Sequence, residues 1–476
     1  MSIMSFTRIE KRGEKEYAYE ITSYWNKEIK RPKQKRKYLG VVIDKKKKLY
    51  ERKLMPCNSE KLILDFGDSF CINQLIENYG FKSLIEKTFP KLSKFVLSFV
   101  TYRLCYPSAM KHSQTWFEGN YTRILYKDIK FNSQRISDFF KHVGDEYLQR
   151  KFFEEYINNF TSSKKSIIID ATSLPNQIHM PLTAWGRNGE DIDKQIRFLL
   201  VVDKDNEMPL FFRYYSGNLV DVSTLKNTIS ELNSLGIKNT FAYFDAGYFS
   251  EDNVRSLQKE EINFLTRLPS IRCLYKELIE TEARQLEKYE NIVGYGERGL
   301  FIKQKEINLF GKKAYAHIVL DPKRKGREIN KFALNSIDEK DKNKEELEYQ
   351  LLTRGIMILV SSCNIKKEDV VPAYYVRQTA EKMFGFSKDD LKLLPLGVHG
   401  EETLRGFLLM QFLSLAIFVK IKKELGKKYT VEDLTLTMRN LKAKVYENNM
   451  IIGELTRRQK DLMEKLDIIV PRNLGV

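Results

Sequence analysis

The sequence predicts an α/β protein built on a mixed β-sheet with helices packed against it, and three observations predict that class. At residue 166 the apolar spacing changes from a helical period to short runs of strand length. From there the runs read βββαβαβ: SIIID, QIRFLLVVDKD and MPLFFRYYSG as strands, STLKNTISELNSLG as a helix, NTFAYFD as a strand, SEDNVRSLQKEE as a helix and NFLTRLP as a strand. Finally, SIIID and NTFAYFD stay apolar until an aspartate closes each. That places Asp170 and Asp245 at the carboxyl ends of buried strands, where open α/β sheets collect their ligand sites.

The flanking elements follow in chain order. Residues 1–58 read as a basic, strand-rich N-terminal region, and within it residues 27–53 hold 13 Lys/Arg against 3 Asp/Glu. Lys33, Lys35, Arg36 and Lys37 are candidate phosphate contacts; a solvated hairpin is the other reading. Residues 59–165 turn helical, with EKLILDF, INQLIENYG and LSKFVLSFVTYRL. Within them FNSQRISDFFKHVG reads as the second half of a helix-turn-helix, Ser133 capping and Gln134 and Arg135 facing DNA. A plain bundle helix has the same pattern. Residues 270–355 interrupt the sheet block as an inserted subdomain, with strand-like GLFIKQKEI and KKAYAHIVLD and the charged, helix-like NSIDEKDKNKEELEYQLLTRG. The sheet block, 166–269, resumes over 356–425 with the strand IMILVSS and the apolar helix FLLMQFLSLAIFV, and 426–476 reads as a helical, amphipathic C-terminal region.

Composition narrows the partners. The 476 residues are 42% hydrophobic and 30% charged, ordinary for a globular protein and enough for more than one core. Lys+Arg 81 against Asp+Glu 63 leaves +18, so a polyanionic partner is expected, nucleic acid or an anionic membrane surface. The longest apolar run, 407–419, is broken by Gln411 and Ser414 and falls short of the ~20 residues of a membrane span. It reads as a buried helix, and no membrane partner is expected. The N-terminal stretch MSIMSFTRIEKRGEKEY has no apolar signal core, which leads to the expectation of a cytoplasmic protein. Cys57, Cys71, Cys105, Cys273 and Cys363 form no zinc spacing and read as small apolar residues; the five histidines form none either.

The chemistry concentrates in YYVRQTAEKMFGFSKDD, residues 374–390. At roughly 100° per residue, Tyr374, Arg377, Glu381 and Lys388 fall on one narrow helical stripe. With Asp170 and Asp245, Glu381 makes a set of three carboxylates that repels itself unless it binds a cation, and oxygen-only ligands point to Mg²⁺, with Mn²⁺ as a substitute. Two such ions can activate the attacking oxygen of a phosphodiester reaction and stabilise the leaving one. Arg377 and Lys388 then read as phosphate clamps. Tyr374 reads as stacking or hydrogen bonding at a DNA end, with simple packing as the alternative. Asp221 and Asp203 are the competing acids, both better suited to turns or capping.

Tyr374, Arg377, Glu381 and Lys388 fill the pattern Y-x2-R-x3-E-x6-K, which resembles the signature of DDE transposases encoded by one large group of bacterial insertion sequences. SIIIDATSL resembles that family's first-aspartate strand and FAYFDAGYFS its second, with Ala246 where many members carry Arg. AWGRNGEDIDKQIRFLLVVD and PLFFRYYSGNLVDVSTL resemble the glycine-rich turn and Gly-Asn-x-x-Asp segment of one subgroup. The similarity runs over about 160–420. It implies an RNase H-like core with a β-rich insertion and double-stranded DNA, element ends and target, as partner. It also implies cleavage at the element ends followed by transfer of 3′-hydroxyls into target DNA, and a homodimer on DNA. Two alternatives stay open: an RNase H-like nuclease that never joins strands, and a catalytically silent DNA-binding descendant. The catalytic reading requires the strands of Asp170 and Asp245 to be neighbours in one sheet, with the helix through 374–388 turning Glu381 toward them and Arg377 and Lys388 alongside.

Overall fold

The structure is a computed structural model that describes residues 4–13, 15–26, 31–45, 47–51, 61–160, 164–188, 191–336 and 344–475. Cys57 and, from the basic run, Lys27, Lys30, Lys46, Arg52 and Lys53 lie outside the described residues. The chain divides into two compact units, Met1–Phe139 with Ile417–Val476, and Phe140–Ala416.

In the first unit, Met4–Arg12, Lys15–Asn26, Arg31–Asp44 and Leu49–Glu51 form an antiparallel sheet in chain order. A second sheet joins Leu62–Asp65 to Lys442–Val445, Asn449–Ile452 and Asn473–Gly475. Two expectations are corrected here. EKLILDF is a strand rather than a helix because Leu62–Asp65 pairs with Lys442–Val445, a partner remote in sequence. The C-terminal region is not all helical. Between helices Val431–Arg439 and Arg457–Lys465, the buried residues Ala443, Val445, Met450 and Ile452 recur with period two, which is a hairpin pattern. Helices Gly67–Asn78, Phe81–Thr88 and Ser93–Cys105 match the helical reading of this region.

The second unit holds one ten-stranded mixed sheet. Its strands are β1 (Lys164–Pro175), β2 (Ala184–Asn188), β3 (Asp191–Asp203), β4 (Met208–Ser216), β5 (Lys238–Phe244), β6 (Asn263–Arg267), β7 (Ile292–Tyr295), β8 (Arg298–Leu309), β9 (Lys312–Leu320) and β10 (Ile356–Ser361). The order is β7-β8-β9-β10-β6-β5-β1-β3-β2, with β4 also paired to β3. Strands β1, β5 and β6 run parallel, connected after β4 by helices Leu225–Ser234 and Glu251–Lys259. The predicted βββαβαβ order is present, with β2 added as a short hairpin partner of β3. Strands of the 270–355 segment continue the same sheet through β9 and β10. Its charged stretch is not one helix; Pro322–Ser336 and Lys344–Thr353 are separate, and 337–343 lies outside the described residues.

The motif glycines are explained by close backbone approach. A Cβ on Gly186 would lie 2.0 Å from the Gly217 carbonyl oxygen, and one on Gly217 would lie 2.2 Å from the Gln195 carbonyl oxygen. The apolar run 407–419 lies in helix Glu401–Leu425, which is long and apolar enough to cross a membrane, yet 94% of its apolar window is buried. Phe412 packs on Phe152, Phe153, Tyr156 and Phe212.

Asp203 closes β3 as expected of a turn residue: its carboxylate accepts the backbone N–H groups of Asp205 and Asn206. It also pairs with Lys165, and both side chains are buried, which holds its carboxyl below the usual range despite the burial. Asp203→Asn leaves the Lys165 ammonium buried and uncompensated, so unfolding in denaturant should show a loss of about 3–5 kcal/mol. A change within about 0.5 kcal/mol would show that the pair carries no stability.

Candidate active site

Strand β1 is apolar through Ile167, Ile168 and Ile169, all fully buried, before Asp170. It does not end there. It continues to Pro175, because Asp170 to Pro175 keep pairing with β3, from Leu200 to Gln195. Asp170 is therefore mid-strand, a correction to the strand-end reading. What ends at this level is the parallel neighbour: the register pairs Ile168 with Tyr243, so two residues further on Asp170 stands level with Asp245, the first residue after β5. Asp245 keeps an extended backbone and opens the turn Ala246–Tyr248.

The segment bearing the other residues is not one helix, a second correction. Helix Lys367–Tyr375 contains Pro372, which lacks the donor N–H, and the chain then tightens, with Arg377 N–H bonding Tyr374 O and Ala380 N–H bonding Arg377 O. Helix Gln378–Gly385 follows and widens into a π-turn, Phe386–Asp390, in which Leu391 N–H bonds Phe386 O. Tightening and widening change the angular position of each residue, yet Tyr374, Arg377 and Lys388 stay on the sheet side, with Glu381 reached through Arg377. Phe384 meets Phe198 of β3, which pairs with Thr172 of β1 and so shares its face.

The polar contacts then close. Tyr374 Oη donates to Asp245 Oδ1 at 2.8 Å. Arg377 Nη1 donates to Asp170 Oδ2 at 3.0 Å, and its Nη2 lies 3.1 Å from Glu381 Oε1. Lys388 Nζ donates to Thr172 Oγ1 at 2.7 Å and to the Ser173 carbonyl at 3.1 Å. Tyr374 and Arg377 thus reach the two aspartates and Lys388 reaches the strand of Asp170, while Glu381 meets Asp170 only through Arg377 rather than facing the aspartates as expected. Glu381 is the exposed member, its side chain 52% accessible against 13% for Asp170.

Burial pushes the Asp170 carboxyl up to about 7 against the pull of Arg377, and the charges of Asp245 and Glu381 push the same way. Burial opposes the charge on Arg377, but Asp170, Asp245 and Glu381 outweigh it and raise its pKa. Lys388 is held below its ordinary value by burial, with the Arg197 guanidinium adding to it. Among the described residues no three His, Cys, Asp or Glu side chains stand ready as a metal cage; Arg377 bridges Asp170 and Glu381 instead. The donor chemistry fits a hard cation nonetheless. All three acids offer oxygen only, and burial disfavours the ionised form of Asp170, a cost that a divalent ion relieves.

The predicted N-terminal residues lie in the first unit. Lys33, Lys35 and Lys37 alternate along Arg31–Asp44 on one face of an exposed strand. Arg36 turns the other way, donating to Glu10 at 2.5 Å with its Cζ 3.6 Å from the Tyr19 ring centroid. Arg135 is exposed on helix Ser133–Val143. The cap of that helix is Asn132, whose Oδ1 accepts the Arg135 N–H, rather than Ser133. Cys71 and Cys105 are buried as read, but Cys273 is exposed.

Sequence reasoning missed a polar network beside the site. Arg197 donates from Nη2 to both oxygens of Asp221 at 2.6 Å, Arg197 Nη1 donates to Ser173 Oγ at 3.0 Å, and Tyr215 Oη donates to Asp221 Oδ1 at 2.7 Å. Asp221 begins a short turn, but its side chain serves this ion pair and caps nothing. The pleat turns Ser173 to the face opposite Asp170 and Thr172, so Asp221 is saturated on the other side of the strand. The signal was present: Arg197 interrupts the otherwise apolar run QIRFLLVV, and Thr172 lies two residues from Asp170 on one strand.

Among solved structures, the chain is similar to the piggyBac transposase in its synaptic complex with hairpin DNA, at 12% identity and a TM-score of 0.42, covering 78% of this chain and 79% of that one. No curated protein matches. The family model described as transposase DDE domain matches residues 161–417, more than half the chain and the whole of the segment carrying these six residues. The chain belongs to the DDE transposases.

Proposed function

We propose that this transposase cuts DNA at the ends of an insertion sequence and transfers the resulting 3′-hydroxyls into target DNA, with Asp170, Asp245 and Glu381 as its catalytic, metal-holding carboxylates. The observation that carries the reading is the level placement of Asp170 and Asp245 on adjacent parallel strands, with Glu381 tied to Asp170 through Arg377. The block β4-β3-β1-β5-β6, antiparallel at β3 and parallel through β1, β5 and β6, supports an RNase H-like core. When bound, a pair of divalent cations, Mg²⁺ or in its place Mn²⁺, supplies activation of the attacking oxygen and stabilisation of the leaving one.

The chain's own residues do the rest. Asp170 and Asp245, held on a rigid sheet, fix the acidic centre, and Glu381, on the exposed side of the helix, completes it. Arg377 neutralises the acids in the free protein and presents a planar, two-pronged donor to a phosphate in the complex. Tyr374 orients Asp245 through its hydroxyl, and Lys388, fixed by Thr172, places a second positive charge along the same cleft. Lys33, Lys35 and Lys37 supply sequence-independent phosphate contacts. The protein acts as a homodimer when it joins two element ends.

Glu381→Gln should fold and bind DNA as wild type does while losing Mg²⁺-dependent nicking of element-end DNA; retained nicking would remove Glu381 from the site. Sequencing the wild-type products separates a transposase, which yields joined strands, from a nuclease, which yields cut ends only. Asp170→Asn should likewise abolish nicking, yet hold or raise the melting temperature in metal-free buffer, because it removes a desolvated charge. A marked fall in its melting temperature would make Asp170 a structural acid like Asp203.

Replacing Lys33, Lys35 and Lys37 together by Gln should flatten the log–log salt dependence of duplex binding by about 2 to 3, at about 0.9 per phosphate contact. Arg36→Gln should cost sheet stability through Glu10 and leave that slope unchanged. An unchanged slope in the triple variant would mark a solvated strand face.

A further inference from the structure

A second cationic cavity lies in the Phe140–Ala416 unit, and none of the three acids lines it. It has a volume of about 580 Å³ and is lined by Arg267 at the end of β6, by Arg324, Lys331 and Phe332 on helix Pro322–Ser336, by Tyr349 within helix Lys344–Thr353 and by Arg354 just past it. The one carboxylate among its described lining residues, Glu328, is already committed: it pairs with Arg324 at 2.5 Å and accepts the Gly355 N–H at 2.8 Å. The side chains of Arg267, Lys331 and Arg354 form no hydrogen bond or ion pair among the described residues. Arg354 Nε and Tyr349 Oη are buried without a hydrogen-bond partner among them. The Arg354 guanidinium lies 4.7 Å from the Phe332 ring centroid, which fixes its plane without using its donors.

Three cations without a partner among the described residues repel one another around one cavity, and buried donors left unmade cost free energy. Such a lining calls for an anion rich in acceptors. It is also connected to the acids. The parallel register of β5 and β6 pairs Phe244 with Thr266, so Arg267, which lines the cavity, stands level with Asp245 on the neighbouring strand. We propose that this cavity binds the phosphodiester backbone of the DNA strand that continues past the cleavage position, with Arg267, Lys331 and Arg354 as its phosphate contacts. The inference rests on the DNA-cleaving reading above and adds to it a place for the flanking strand. Arg267 joins the two sites, so that a strand held at Asp245 runs on into the cavity.

The test measures binding by fluorescence anisotropy in EDTA across a salt series, using wild type and a Lys331→Gln/Arg354→Gln variant. Two duplexes are compared, one ending at the cleavage position and one carrying flanking DNA. On the flanked duplex the variant's log–log slope should fall by nearly 2, at about 0.9 per lost contact, with no difference on the blunt-ended one. The charge-retaining Lys331→Arg/Arg354→Lys variant should restore the slope. Equal slopes for wild type and variant on flanked DNA, or the same loss on both duplexes, would overturn the proposal. So would stabilisation of wild type by inorganic phosphate with no change in slope, which would make the cavity a free-anion site. Should the double variant melt below wild type, Lys331→Gln alone, at an exposed position, carries the test with an expected fall of about 0.9. If wild type fails to bind either duplex, the DNA-cleaving reading fails; if it binds and nicks while the slopes coincide, only the cavity proposal does.

Discussion

The site depends on keeping several carboxylates together where water is scarce. Asp170 and Asp245 are forced level by the parallel register of β1 and β5, and the sheet cannot separate them without breaking that register. Burial already penalises ionised Asp170, and each neighbouring acid adds to the cost. Arg377 makes the arrangement tolerable by lying between Asp170 and Glu381, and Tyr374 does so by donating to Asp245. An Arg suits this position better than a Lys because its fork meets two acids at once and stays charged when buried.

That requirement explains the irregular backbone of residues 367–391. A regular helix would keep its stripe narrow, but the three targets are spread out: Asp245 past the end of β5, Asp170 on β1, and Thr172 one pleat further along. Tightening after Tyr374 and widening after Gly385 let one chain segment address all three while Ala380, Met383 and Phe384 remain buried. The π-turn lies where Lys388 has to reach Thr172, in keeping with the tendency of such turns to occur at functional positions.

The parts that were legible in the sequence were those written in local patterns. The period-two runs showed the strands of the sheet block, and residue type with spacing marked the Tyr, Arg, Glu and Lys of the 374–388 segment. The extent of β1 was not legible. Asp170 looked like a terminus because polar residues follow it, whereas β3 continues to pair with those residues and holds them in the strand. Leu62–Asp65 failed for the same reason, since its partner Lys442–Val445 lies far away in the chain; the C-terminal hairpin pairs locally, and its period-two pattern was present in the sequence but passed over. Asp221 does begin a turn as expected, but the capping role read for it is absent for a different reason. Capping is a local role, but its carboxylate is claimed by Arg197 from another strand. Long-range partners decide such cases, and no window of sequence contains them.

An acidic centre that works on DNA faces an electrostatic contradiction, because carboxylates repel the phosphodiester they must approach. The overall charge of +18 draws a polyanion toward the protein, but long-range attraction is screened within about 10 Å at ordinary salt and does not act at the acids themselves. Local compensation has to be built in. Arg377 and Lys388 supply it from the same segment that carries Glu381, so the acid and its counter-charges reach the sheet together and cannot be positioned separately. Under the proposed function this coupling has a second use. The guanidinium that silences the acids in the free protein is the group that contacts phosphate in the complex, so the approach of DNA competes for Arg377 and exposes Asp170 and Glu381 when substrate is present.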